Sequence, residues 1–353
     1  MRVLCVQPGP DWSVMDVHRG WVAGLAAAGC QVREFDLNDR LAFYDDAHLP
    51  TGDGGYRQAI DDPVERVVVA CKGLESMLYE WWPHILWVTY GPCVDPNVLR
   101  LARHRGHIVV LCHTESPYED DRQIEWVQAG VADLHLINDP TNLDRFREFE
   151  PHTYYLPHSY DPSVHRLPAE QVRPAHDVCF VGSAFPSRVE WFTRFAAEAP
   201  DLDMLLAGNW MSVAGEDHPL QRYCPHDFSR CLDNRDVPPI YWASRVGLNL
   251  YRREANDAAT AAGWSMGPRE VEMAACGLFF LTEERGENRQ VLPMLPTFTS
   301  AEDAAEQARW WVAHPGQRER AAAEAAAAVA DWTFEARARQ VLDLISKLQA
   351  AAA

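Results

Sequence analysis

The feature that most restricts how this chain folds is an alternation, run through twice, of short apolar segments with amphipathic helical ones. Apolar runs bounded by Gly, Pro, Asn or Asp read as strands buried on both faces, and strands separated by helices assemble into parallel βαβ sheets. Residues 3–7 form the first run, closed by Pro8-Gly9-Pro10-Asp11. A helical pattern over 17–28 then stops at Gly29, a residue suited to the left-handed helix C-cap, and 31–35 is strand-like again. The pattern continues with helices expected over 64–80, 96–104, 123–129 and 141–149, and strands over 85–89, 108–112, 134–137 and 153–156.

Residues 157–177 break the alternation with Pro157, Pro162, Pro168 and Pro174, and read as a linker. It restarts at Asp177-Val178-Cys179-Phe180-Val181-Gly182, with helices over 188–198, 237–242 and 268–275, strands over 203–207, 246–250 and 278–282, and a helical tail from 301 onward. The predicted class is α/β, with two doubly wound halves and domain limits at 1–165, 166–332 and 333–353. Ligands in such sheets bind outside the carboxyl ends of the strands, which makes the cleft between two such halves the expected site.

With 353 residues, 47% of them hydrophobic and 24% charged, the chain has material for two or three cores; disorder and disulfide-stapled mini-protein designs are excluded. No apolar run is long enough to span a membrane, and the amino terminus runs straight into a strand, leaving no signal-peptide pattern. Acidic residues outnumber basic ones by 51 to 32, for a net charge of −19, which argues against coating nucleic acid through global charge. The nine cysteines include no Cys-x-x-Cys pair, and several sit in apolar runs; free thiols in a reducing cytoplasm are expected.

Three groups of residues carry candidate chemistry. In Ser265-Met266-Gly267-Pro268-Arg269-Glu270-Val271-Glu272, the Gly-Pro pair opens a helix whose free amides, with Arg269, suit a phosphate. Glu272, one turn on from Arg269, suits ribose hydroxyls; the simpler reading is a surface Arg–Glu pair. Gly182 and Ser183 after a buried strand, with Arg188 in the next helix, suit a diphosphate; Gly208 and Asn209 end another strand at the same sheet edge. The alternative there is an ordinary turn with a solvated arginine. In the first half, His113 and Glu115 follow the strand 109–112, and Asp16 and His18 open the first helix; turn and helix caps are the structural alternatives.

His218, Cys224, His226 and Cys231 are close in sequence, but their spacing matches no structural zinc pattern, and solvated loop residues explain them more simply. The basic run 100–107, with Arg100, Arg103 and Arg105, suits an anionic acceptor or the negative end of a helix.

Four segments taken together resemble the GT-B glycosyltransferases. Arg269 to Gly277 follows the pattern R-x-x-E-x-x-A-x-G; 177–188 is similar to the first strand and loop of the C-terminal domain; 244–252 is similar to its strand bearing Asn249 and Arg252; and 155–162 is similar to the segment entering the linker. The likeness is nearest to the CgeB-type spore-maturation group and other retaining, nucleotide-sugar-dependent enzymes, and is best over 150–345. It implies two Rossmann-like domains, with a UDP-, GDP- or similar sugar held by Gly182, Ser183, Arg188, Gly208, Asn209, Asn249, Arg252, Arg269 and Glu272. It further implies a last helix that returns to the first domain, His113 beside the donor sugar, and no metal requirement. In inverting members a histidine near the first loop is the general base, which here would be His18 with Asp16. The Glu-x7-Glu motif of retaining members keeps its second acid at Glu272, but its first falls on Trp264; Asn256 or Asp257 of the loop 253–266 are the expected substitutes.

On this resemblance the chain is expected to transfer a sugar to a hydroxyl acceptor, with retention slightly favoured. The acceptor class stays open among a glycan, a small molecule and a modified DNA base, with 41–63 as the expected acceptor loop. A nucleotide-sugar 2-epimerase and a non-catalytic binding or coat protein on the same fold are the rivals.

Overall fold

The computed structural model describes residues 1–9, 14–51, 54–214, 217–225, 232–254 and 262–352. They form two compact units, Met1–Leu156 with Phe334–Ala353, and Pro157–Thr333.

In the first unit, β1 (Arg2–Val6) and β2 (Gln31–Phe35) are followed by a small antiparallel hairpin, β3 (His48–Pro50) and β4 (Tyr56–Gln58). Four more strands follow, β5 (Ile85–Thr89), β6 (Ile108–His113), β7 (Leu134–Ile137) and β8 (Thr153–Tyr155). The main sheet is wholly parallel in the order β2-β1-β5-β6-β7-β8, so the direction of winding reverses between β1 and β5. The two-residue period of a strand explains its two-sided burial. Val3 and Cys5 pack with Trp21, Leu25, Phe334, Val341 and Ile345, whereas Leu4 and Val6 face Leu37, Leu74, Leu78 and Val98.

Three crossover helices start on an aspartate whose carboxylate caps a first-turn amide: Asp36 to Asp39, Asp62 to Val64 and Asp95 to Asn97, the last two with proline opening the helix. The last helix, Phe334–Ala352, lies on Met15–Ala27. It approaches so closely that a Cβ at Gly20 would stand 2.2 Å from the Phe334 ring and one at Gly24 2.5 Å from the Phe334 carbonyl carbon. Burying Phe334, Val341 and Ile345 contributes about 1.5–3 kcal/mol each.

The second unit holds β9 (His176–Val181), β10 (Met204–Ala207), β11 (Ser244–Asn249), β12 (Phe280–Glu283) and β13 (Thr297–Phe298), parallel throughout in the order β10-β9-β11-β12-β13. Its core joins Phe180, Phe192, Phe195 and Trp210 to Val271, Met273, Phe279 and Ala304. The fold is thus α/β with two doubly wound parallel sheets.

Two stretches differ from expectation. The expected loop 41–63 contains the end of the helix Leu37–Asp45 and the β3–β4 hairpin, tied down by Arg66, which reaches Asp45 at 2.7 Å and Gln58 at 3.0 Å. Its sequence lacks periodicity because both faces of the hairpin are open to solvent. Ahead of the expected last helix, the tail from 301 is two helices, Ala301–Ala313 and Pro315–Ala328, because Pro315 cannot continue the first and starts the second instead.

Candidate functional site

The winding of the second sheet reverses between β9 and β11, and the crevice at the carboxyl ends of such a strand pair is where open α/β sheets bind ligands. Gly182 and Ser183 follow β9 there, and Asn249 ends β11 with Arg252 just beyond. The Arg188 guanidinium spans the two strand ends, donating to the Ser183 carbonyl at 3.2 Å and the Leu250 carbonyl at 2.7 Å. It lies over the Phe185 ring at 5.1 Å, and Arg252 lies over the same ring at 4.9 Å. Two cations therefore lie against one aromatic ring at the sheet's switch point.

β10 closes one side. The Gly182 amide donates to the Ala207 carbonyl and the Ala184 amide to the Asn209 carbonyl, both at 2.9 Å. Gly208 has φ +116°, and a Cβ there would stand 2.5 Å from the Gly182 carbonyl oxygen, so only glycine lets the two strand ends meet. The side chain of Asn209 turns back to accept the Met211 amide, and that of Asn249 is buried and donates to the Thr282 hydroxyl at 3.1 Å.

Arg269 and Glu272 lie on the helix Pro268–Ala275 as the sequence predicts, but Glu272 is buried. Its carboxylate accepts from Arg269 at 2.6 Å and from the Asn234 amide at 2.8 Å, with His165 Nε2 at 3.9 Å; Asn234 also accepts from Arg269. Burial works to raise the Glu272 carboxyl, yet the Arg269 guanidinium, then His165 and Asn234, hold it below the usual range. The carboxylate thus fixes where Arg269 points. His165 and Asn234 were not singled out in the sequence, because the contact joins segments far apart in the chain and neither segment carries a local pattern.

A second carboxylate was also not singled out. Glu270 is fully buried; it accepts from the Gly267 amide at 2.7 Å, Tyr251 at 2.5 Å, Thr282 at 2.9 Å and Asn288 at 3.1 Å. Burial pushes its carboxyl up against the pull of those donors. In sequence it is an ordinary acid in a first helical turn.

The first-unit candidates do not come together as a catalytic pair. His18 is buried and shares Nε2 with Glu34 at 3.0 Å, whose carboxyl this hydrogen bond lowers, whereas Asp16 pairs with Arg19 at 3.4 Å. His113 ends β6, buried, with Nε2 2.9 Å from Nδ1 of His135 and the two rings stacked. Burial, then the neighbouring imidazole, pushes His113 well below its usual range, so it is neutral. Glu115 lies on the following loop, its amide donating to Gln123 at 3.2 Å.

The basic run sits at the amino ends of the first sheet, since the helix Pro96–His104 leads into the start of β6. Arg103 binds Asp133 at 2.8 Å, and Arg100 reaches the Ala129 carbonyl. Cys224 is buried and His218 accepts the Leu220 amide; His226 and Cys231 lie outside the described residues, as do Asn256 and Asp257. Among the described residues no three His, Cys, Asp or Glu side chains are grouped to hold a metal ion, and no helix is long and apolar enough to cross a membrane.

Residues 188–343 match the family described as glycosyl transferase-like. No curated protein sequence matches the chain. Among solved structures, sucrose-phosphate synthase from Thermosynechococcus elongatus superposes with a TM-score of 0.67 at 13% identity, over 99% of each chain. HepE of Anabaena, solved in complex with UDP and glucose, gives 0.65 at 12% identity over 98% of this chain and 99% of that one. The α,α-trehalose 6-phosphate synthase of Burkholderia multivorans gives 0.60 at 12% identity over 99% and 97%. The family match thus covers residues 188–343, and the chain as a whole has the GT-B fold of these structures.

Proposed function

We propose that the protein transfers a sugar from a nucleoside diphosphate sugar, with a UDP-sugar as the first donor to test, to a hydroxyl acceptor, and with retention at the anomeric carbon. The observation that carries this reading is the pair of guanidiniums, Arg188 and Arg252, held against the Phe185 ring at the switch point, beside strand ends that Gly208 lets pack closely. A diphosphate leaving group gains charge as the glycosidic bond breaks, and fixed cations stabilise that charge more in the transition state than in the ground state. Arg269, steered by Glu272 and Asn234, adds a third cation, so the site's own charges fit a reaction that needs no divalent ion. Gly182 and Ser183 offer backbone approach to the diphosphate. The complex of the structurally similar HepE with UDP supports that choice of nucleotide.

Retention is supported by the state of the two histidines. An inverting transfer needs a base that reaches the acceptor, and both His18 and His113 are buried with Nε2 committed to another side chain. In a retaining transfer the departing diphosphate itself takes the acceptor proton. The motif 269–277 supports placement near the CgeB-type group, and the exposed Phe43 and Tyr56 around the hairpin suit the apolar faces of an acceptor sugar. The free state of the eight described cysteines fits a reducing cytoplasm.

Thermal unfolding with UDP, GDP, ADP and TDP tests the donor site. A nucleotide at a hundred times its Kd adds about 2.7 kcal/mol, a rise in Tm of several degrees. We expect UDP to give it and Arg252→Ala to abolish it; no shift in the wild type with any of the four overturns the donor reading.

A further inference from the structure

Around the switch point one buried carboxylate ties together four pieces of chain. Glu270 Oε2 takes the Gly267 amide at 2.7 Å and the Tyr251 hydroxyl at 2.5 Å, while Oε1 takes the Thr282 hydroxyl at 2.9 Å and the Asn288 amide at 3.1 Å. The bond to Gly267 is half of a capping box, found at many helix starts. The rest exceeds capping, because a fully buried acid with four donors joins the end of β11, the end of β12 and two helix starts. Asn288 reinforces it by also donating to the Tyr251 hydroxyl at 3.1 Å and the Glu283 carbonyl at 2.8 Å.

The segment before the helix is held by its backbone. The Trp264 carbonyl accepts from the Glu287 amide at 3.0 Å, the Ser265 carbonyl from Arg285 at 2.9 Å, and the Met266 amide donates to the Glu287 carboxylate at 2.8 Å. The Arg285 guanidinium in turn lies 3.7 Å from the centre of the Tyr251 ring. Tyr251 is the residue before Arg252, and Glu270 is the residue after Arg269, so both cations hang on backbone that this one carboxylate fixes.

We infer that Glu270 is a positioning residue, which sets the backbone carrying Arg252 and Arg269 and holds the 264–267 segment against the 285–288 turn. Its own carboxylate is buried and engaged by those four hydrogen-bond donors. The consequence for nucleotide affinity rests on the donor reading above, whereas the holding of the segment does not.

The test pairs amide hydrogen exchange with UDP titration in Glu270→Ala, Glu270→Gln and Tyr251→Phe. In Glu270→Ala the Met266 and Gly267 amides are expected to exchange at least tenfold faster and UDP to bind at least tenfold more weakly, with exchange in β9 and β10 unchanged. Glu270→Gln keeps an oxygen for the Gly267 amide and is expected to restore most of both. If Glu270→Ala does not fold, Tyr251→Phe is judged on the same two readouts, with smaller changes of the same sign. Unchanged exchange at 266–267 overturns the inference, as does faster exchange with UDP affinity intact. A wild type that binds no nucleotide overturns the donor reading instead, and exchange alone then decides the role of Glu270.

Discussion

Gly208 and Asp120 show how much can hang on a single residue, at a strand end in one unit and a helix start in the other. At Gly208 a methyl group would collide with backbone, at φ +116°, so neither neighbour has a rotamer by which to yield. Gly208→Ala is expected to cost about 1–3 kcal/mol and to weaken UDP binding by pushing the ends of β9 and β10 apart, as read by denaturant unfolding and UDP titration. Asp120 opens the helix Asp120–Gln128 in the first unit, and burial pushes its carboxyl up to about 6 despite hydrogen bonds from Asn142 and Ser116. The folded chain then holds this proton more tightly than the unfolded chain. Stability from this group is full below the unfolded value near 4 and is lost as the pH rises through 6. Relative to wild type, Asp120→Asn should gain about 2 kcal/mol between pH 4 and pH 7. Unfolding curves across that range check it; a difference that stays flat with pH would refute it.

Among the elements, the crossing of Met15–Ala27 with Phe334–Ala352 makes the sharpest demand on sequence. Gly20 and Gly24, one turn apart, form a notch that receives the Phe334 ring and backbone. Because Gly24 faces backbone atoms, Gly24→Ala is expected to cost about 2 kcal/mol or more and to render the start of the last helix sensitive to protease. The proteolysis pattern and Tm of the variant test this. Periodicity revealed most of the strands and long helices to within a few residues, since burial on two faces leaves an apolar run that survives in the sequence. It missed the notch, because glycine inside a helix reads only as a cost. The β3–β4 hairpin was missed because it buries too little to leave a pattern. At the candidate site, Gly182 and Arg188 were readable as candidates from their place after a buried strand and in the next helix, and Arg252 from the family resemblance. The Glu270 and Glu272 networks were not, because their partners Tyr251, Asn288, Asn234 and His165 come from distant segments. His113 shows the converse: a polar residue at a strand end reads as chemistry, yet here it packs against a second imidazole.

For the whole molecule, the chain path matters as much as either sheet. It leaves the first unit after Leu156, builds the entire second unit, and returns at Phe334 to place the helix that covers Val3, Cys5, Trp21 and Leu25. During synthesis from the amino terminus, the second unit has all its residues while the first still lacks a wall of its core. Domains usually mature in the order they are made; here the half begun first is finished last, and until then a strip of its sheet stays bare for chaperones to find.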